Sequence, residues 1–214
     1  MDATVTVREV QDVGPDTYAI RFGTPDGFAA EPGQFVKLGT EIDGEDVARF
    51  YTLSSPTTDD TFEVTVGIDP EAGGEFSEFL SAVEPGVEMS FSGPFGDQHY
   101  DGEPRVVVLA GGPGVGPAVA IAERALADGG EAAVVYRDDE PAHGERLAAL
   151  RERGATVFLI GEGTDLTAPV SDVLTGADGE GIFVYGFTDF VADAEAAIAA
   201  AIGDADAAKV ENFG

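Results

Sequence analysis

The chain has 214 residues, no cysteine, two histidines, and 41 Asp plus Glu against 11 Lys plus Arg, a formal net charge of −30. These values exclude disulfides, thiolate metal sites, cysteine nucleophiles and an iron–sulfur cluster carried by this chain, and they leave no basic patch to neutralise nucleic-acid phosphates. His99 and His143 are too far apart in sequence to suggest a metal pair, no apolar run reaches the length of a membrane span, and the opening MDATVTVREV lacks the regions of a signal peptide, so the chain reads as soluble and cytoplasmic.

Up to about residue 100 the pattern alternates with period two between turn signals. ATVTVREV (3–10), TYAIRF (17–22), QFVKLGT (34–40), VARFYTL (47–53), TFEVTVGI (61–68) and VEMSFSG (87–93) are strand candidates. In the fourth, Arg49, Tyr51 and Leu53 fall on one side, beside the hydroxyls of Thr52, Ser54 and Ser55. In the fifth, Phe62, Val64, Val66 and Ile68 share one face while Glu63 and Thr65 take the other. One short helix is predicted around GEFSEFLSAV (74–83). Six antiparallel strands with one helix predict a small closed β-barrel over residues 1–100.

From residue 101 the pattern changes. RVVVLAGG is a continuous apolar run, as expected for a strand buried on both faces of a parallel sheet. PAVAIAERALADGG has helical spacing and a glycine stop. AAVVYRDD, GERLAALRERG, ATVFLIGEG, VSDVLTG, GIFVYGF, DFVADAEAAIAAAIG and AAKVENFG continue the alternation of strand and helix. Residues 101–214 therefore predict a five-stranded doubly wound parallel α/β domain, with the seam near HYDGEP.

Between its first strand and first helix lies LAGGPGVGPAVAIA, with Gly111, Gly112, Gly114 and Gly116. Backbone without Cβ atoms lets a ligand approach, and a helix start offers free N–H groups and a positive dipole end to a pyrophosphate. Pro117 stands where the strict dinucleotide fingerprint has glycine. The alternative is a tight turn that needs left-handed glycines.

These motifs together resemble the ferredoxin–NADP reductase family of flavoproteins over nearly the whole chain. Arg49, Tyr51, Thr52 and Ser55 match its flavin motif Arg-x-Tyr-Ser/Thr-x-x-Ser, and Gly74, Glu75, Phe76 and Ser77 match its Gly-x-x-Ser phosphate motif. Gly93, Pro94 and Gly96 match the Gly-Pro-x-Gly that closes the barrel; Gly112, Gly114, Val115, Gly116 and Pro117 fall in its nicotinamide loop. The resemblance implies bound FAD, with FMN as the lesser candidate, and NADH or NADPH as co-substrate. It implies that Tyr51 lies against the isoalloxazine, a contact worth about 1 kcal/mol beyond its buried area. Arg49 and Ser77 would hold the pyrophosphate, Thr52 would donate towards N5, and the backbone of Val66 and Gly67 would meet the polar edge of the ring. Without the other motifs, Arg49 and Tyr51 would read as an ordinary barrel strand with a snorkelling arginine.

Three places depart from the family. Glu211 and Phe213 match a Glu-x-aromatic ending, but Gly214 follows, and a last strand with an apolar anchor is the alternative. Tyr185, Gly186 and Phe187 stand where most relatives have Cys-Gly-Pro, and Pro113 replaces a threonine. The turn IGEG carries Glu162 where NADP-specific relatives place Ser-Arg, which favours NADH, with Arg137 the one nearby cation that would reverse this. The expected activity is hydride exchange between NAD(P)H and FAD, with electrons passed to a ferredoxin-like protein or free flavin. The alternatives are a partner-dependent electron-transfer subunit and a flavin- or nucleotide-binding sensor. His143 reads as an exposed loop residue, and His99 as a residue of the interdomain segment with no assigned role. The acidic surface, with Lys37 and Lys209 its only lysines, resembles proteins of salt-accumulating halophiles.

Overall fold

The computed structural model describes residues 1–68 and 74–214. Six strands, β1 (Asp2–Gly14), β2 (Thr17–Gly23), β3 (Phe35–Ile42), β4 (Glu45–Thr52), β5 (Thr61–Gly67) and β6 (Glu88–Phe95), form an antiparallel sheet in the order β4-β3-β6-β1-β2-β5. Past the end of β4 the chain bends inwards. Leu53 donates its N–H to the Gln34 carbonyl at 2.9 Å and bridges Val64 of β5, bringing the two sheet edges together into a barrel. Leu53 is therefore fully buried in the barrel, away from Arg49 and Tyr51, with which the alternation had grouped it.

The barrel core is built from the inward residues of each strand, among them Val5, Ile20, Val36, Phe62 and Val64. Phe22 stacks on Phe62 at 5.2 Å, and Phe28 meets Phe91 edge-on at 5.0 Å. α1 (Glu75–Ser81) closes one end with Phe76 and Leu80 buried. Strand β5 is buried on both faces. Phe62, Val64 and Val66 face the barrel as the alternation predicts, while Glu63 and Thr65, only 6% and 7% exposed, lie under the second half of the chain.

That half is a parallel sheet of β7 (Arg105–Gly111), β8 (Glu131–Arg137), β9 (Thr156–Ile160), β10 (Glu180–Gly186) and β11 (Ala208–Asn212), ordered β11-β10-β7-β8-β9. The helices are α2 (Val115–Ala127), α3 (Gly144–Glu152), α4 (Thr167–Val173) and α5 (Thr188–Ile202). Apolar clusters lie on both faces of the sheet, one centred on α2 and the other on α5, so β7 reads as an unbroken hydrophobic run. The strand order reverses between β7 and β10, the switch point at which open α/β sheets bind ligands beyond the carboxyl ends of their strands.

The segment between the sheets is tied down. Lys209 of β11 donates to the His99 carbonyl (2.6 Å), Asp101 (3.0 Å) and Glu103 (2.7 Å). The Tyr185 hydroxyl donates to the Gln98 carbonyl at 3.1 Å. His99 thus sits in a clamped connection, with Nδ1 3.3 Å from Asp101. No described helix is long and apolar enough to cross a membrane.

Candidate functional site

A cavity of about 630 Å³ opens between the barrel and the carboxyl edge of the parallel sheet. The barrel wall is Arg49, Phe50, Tyr51 and Thr52 of β4, Thr65, Val66 and Gly67 of β5, and Ser77 of α1. The opposite wall is Pro113, Pro117, Phe187 and the run Glu211–Phe213.

Tyr51 is half-buried, and its ring stacks on Phe76 at 6.2 Å, which in turn stacks on Phe79. Phe76 lies in the barrel core behind Tyr51 and does not line the cavity. Burial pushes the Tyr51 hydroxyl well above its ordinary range, against the opposing pull of the Arg49 charge, so this aromatic wall is neutral. Arg49 donates to the Ala48 carbonyl at 2.8 Å and has no ion-pair partner among the described residues, although acids outnumber bases nearly four to one in this chain. A fork of donors free of carboxylates at the rim of a cavity suits an anion.

The Thr52 hydroxyl donates across the seam to Glu211 Oε1 at 2.8 Å. Burial raises the Glu211 carboxyl above the usual carboxylate range despite that bond. Two residues that the sequence separates by more than 150 positions are thus paired at the cavity floor. Ser55 is elsewhere: its hydroxyl accepts the Glu63 N–H at 3.1 Å, on the far side of the β4–β5 connection. Gly74 is the open N-cap of α1, its carbonyl accepting the Ser77 N–H at 2.9 Å. Glu75 and Glu78 in the same first turn oppose the attraction of the helix end for an anion.

Packing accounts for most of the glycine run. A Cβ on Gly111 would enter the Phe190 ring, one on Gly114 would lie 2.2 Å from the Tyr185 carbonyl oxygen, and one on Gly116 would lie 2.6 Å from Thr65 Oγ1. Gly112 differs, with φ +53° and open space around it. Gly112–Gly114 form a short 3-10 turn that runs directly into α2, so the helix begins at Val115 rather than Pro117. Val115 is core, while Pro117 and Pro113 face the cavity, with Gly67 opposite Pro113.

Tyr185 is fully buried, and the Gly186 backbone packs under the Phe190 ring, so neither lines the cavity. Their neighbour Phe187 does, 52% exposed and edge-on to Phe213 at 6.0 Å. Glu162 is exposed beyond β9, its N–H donating to Asp139 at 2.9 Å. Arg137 is engaged by Asp193 at 2.8 Å and lies over the Phe190 ring. Sequence reasoning missed Phe35 and Phe50, which line the cavity beside Arg49 and pack with Phe95, Phe50 being 60% exposed. An aromatic facing solvent on an edge strand was the available signal. His143, expected to be exposed, is 4% exposed, because the barrel covers it.

Residues 4–100 match the family model of the oxidoreductase FAD-binding domain, which spans the barrel. The chain is 39% identical over 115 residues to the glycine betaine monooxygenase reductase subunit of Chromohalobacter salexigens, covering 52% of this chain and 30% of that one. It is 35% identical over 161 residues to the 3-ketosteroid-9-alpha-monooxygenase ferredoxin reductase component of Mycolicibacterium smegmatis, covering 70% and 45%. The Amycolatopsis cytochrome P450 reductase superposes with a TM-score of 0.82 at 26% identity, over 100% of this chain and 70% of that one. The chain spans less than half the length of these two curated relatives. The family match thus falls within the barrel, and the two curated relatives are reductase components by name.

Proposed function

We propose that this protein is an FAD-dependent reductase that takes hydride from NADH and passes electrons to a separate acceptor, a ferredoxin-like carrier or the oxygenase component of a multicomponent system, or to free flavin. The observation that carries this is one cavity with a neutral aromatic wall at Tyr51, a cation at Arg49 with no ion-pair partner among the described residues, and Pro113 of the glycine turn on the opposite wall. The donor set fits the cofactor. Tyr51 would hold the ring system, Arg49 and Ser77 the pyrophosphate, and Val66 and Gly67 the polar edge. When bound, the flavin supplies the redox chemistry, accepting two electrons from the nicotinamide and releasing them onward.

The chain's own part is binding, orientation and proton handling. Glu211 holds a proton at a carboxyl oxygen more readily than a solvated glutamate does. With their hydrogen bond reversed, Thr52 can hand that proton into the cavity. Pro113, Pro117 and Phe187 keep the opposite wall apolar and limit water. NADH is preferred over NADPH, because Glu162 and Asp139 repel a 2′-phosphate while Asp193 already neutralises Arg137.

Phe187 and Pro113 crowd the wall that a nicotinamide would approach, which favours as a second reading a subunit that turns over only with its partner in place. Anaerobic titration of FAD-loaded protein in concentrated KCl tests both. Rapid bleaching by NADH, much slower with NADPH, is expected of the first reading. Bleaching only after a partner is added selects the second, and failure to retain FAD at all defeats both.

A further inference from the structure

The start of α3 reaches out of the parallel-sheet domain and grips the barrel at a second cavity, about 820 Å³, behind the β4–β5 connection. His143, just before the helix, adopts a left-handed conformation with φ 54°. Its N–H donates to the Val13 carbonyl of β1 at 2.8 Å, and its Nε2 shares a 2.8 Å hydrogen bond with Thr65 Oγ1 of β5. Three residues on, Arg146 donates to Glu63 Oε1 (3.0 Å) and the Ser54 carbonyl (2.8 Å) in the barrel, and to both Glu123 oxygens (2.8 and 2.7 Å) in its own domain. Glu63 is itself held by Arg21 at 3.0 Å and by the Ser54 hydroxyl at 3.0 Å. A fork fixed at four acceptors leaves little freedom to slide or rotate.

The grip lies on the strand that also forms the cavity wall. Thr65, bonded to His143 on one side, meets Gly116 at the head of α2, and Gly67, two residues on, faces Pro113 in the glycine turn. Strand β5 therefore connects the α3 grip to the turn over the first cavity. Neither His143 nor Arg146 lines that first cavity. Burial, with the nearby Arg146 charge, lowers the His143 pKa to about 3, so the imidazole stays neutral and its hydrogen bond holds throughout the working range.

We infer that His143 and Arg146 are positioning residues that fix the height of the glycine turn above the flavin, setting the rate of hydride transfer without contributing to FAD affinity. The inference rests on the reductase reading above. Its test compares Arg146→Met, Arg146→Lys and His143→Asn with the wild type, all loaded with FAD. Asn suits a left-handed position, so His143→Asn removes the imidazole bond without backbone strain. Stopped-flow reduction by saturating NADH should slow at least ten-fold in Arg146→Met and His143→Asn, with a weaker long-wavelength charge-transfer band. Arg146→Lys should recover part of the rate. FAD affinity and reduction by dithionite, which needs no second domain, should stay within two-fold of wild type.

Wild-type rates in the variants overturn the inference and leave the reductase reading intact. So does parallel loss of FAD binding in His143→Asn, which would make the contact one of folding alone. If Arg146→Met does not fold, His143→Asn decides. A wild type that NADH cannot reduce defeats the reductase reading instead.

Discussion

Arg49 and Arg137 are two arginines with opposite fates, and the difference lies in their neighbours. Arg49 faces the cavity without a described carboxylate partner, whereas Arg137 is held by Asp193. In the proposed role of Arg49, replacing it with Ala would remove a charge-assisted contact to the pyrophosphate of about 1.5–3 kcal/mol, so FAD affinity should fall roughly 10- to 100-fold in a fluorescence titration. Asp193→Asn should free Arg137 to meet a 2′-phosphate and raise the NADPH-to-NADH rate ratio by several-fold, as steady-state kinetics would reveal. An unchanged ratio would place the phosphate site away from β8. Glu211 gives a pH prediction. Its folded pKa is raised above the ordinary 4.5 by burial, so the native state binds more protons than the unfolded chain between those two values. Its contribution is complete below 4.5 and is lost as pH rises through the folded value. Glu211→Gln should lack this loss, so its melting temperature relative to wild type should rise across that window and then level off.

At the scale of elements, the glycine turn separates what a sequence pattern can reveal from what it cannot. The strand–glycine–helix succession was readable, because apolar runs and stop signals are local. The purpose of each glycine was not, since the atoms that exclude a Cβ come from β10, α5 and the barrel. Gly114→Ala should therefore cost at least about 1–3 kcal/mol, as its Cβ would meet backbone that cannot yield. Gly112→Ala, with open space and only the left-handed penalty of about 1–2 kcal/mol, should be the milder of the two in urea unfolding and yet impair NADH binding. Equal destabilisation would mean that the turn can move. The same limit hid the site's other half. Period-two alternation placed Glu63 and Thr65 on the outer face of β5, but nothing local said that another domain covers that face. His143 in EPAHGERL read as loop for the same reason, its partner Thr65 lying 78 residues away. Tyr51, Thr52 and Arg49 were singled out by their match to the family's flavin motif, since periodicity alone left them as an ordinary barrel strand. The small start shift of α4, at Thr167 rather than Val170, follows Asp165, whose carboxylate accepts the Thr167 N–H at 2.6 Å.

For the whole molecule, the charge of −30 acts on stability more than on chemistry. Most of the acids are on the surface, where repulsion extends over a Debye length of about 10 Å in 0.1 M salt and about 3 Å at 1 M. The partly buried network of Arg146, Glu63 and Glu123 is held by short direct contacts and is screened less than the exposed charges. Salt should therefore stabilise the protein through its surface while leaving the interdomain grip unchanged. A chain of this length shifts its melting temperature by about 2–4 °C per kcal/mol, so relieving a few kcal/mol of repulsion should raise Tm by roughly 10 °C between 0.1 and 2 M KCl. Arg146→Met should melt lower at every salt concentration, with a curve parallel to that of the wild type. Were the two curves to converge at high salt, Arg146 would be acting through long-range charge, and the contacts with Glu63 and Ser54 would not be what holds the two domains in register.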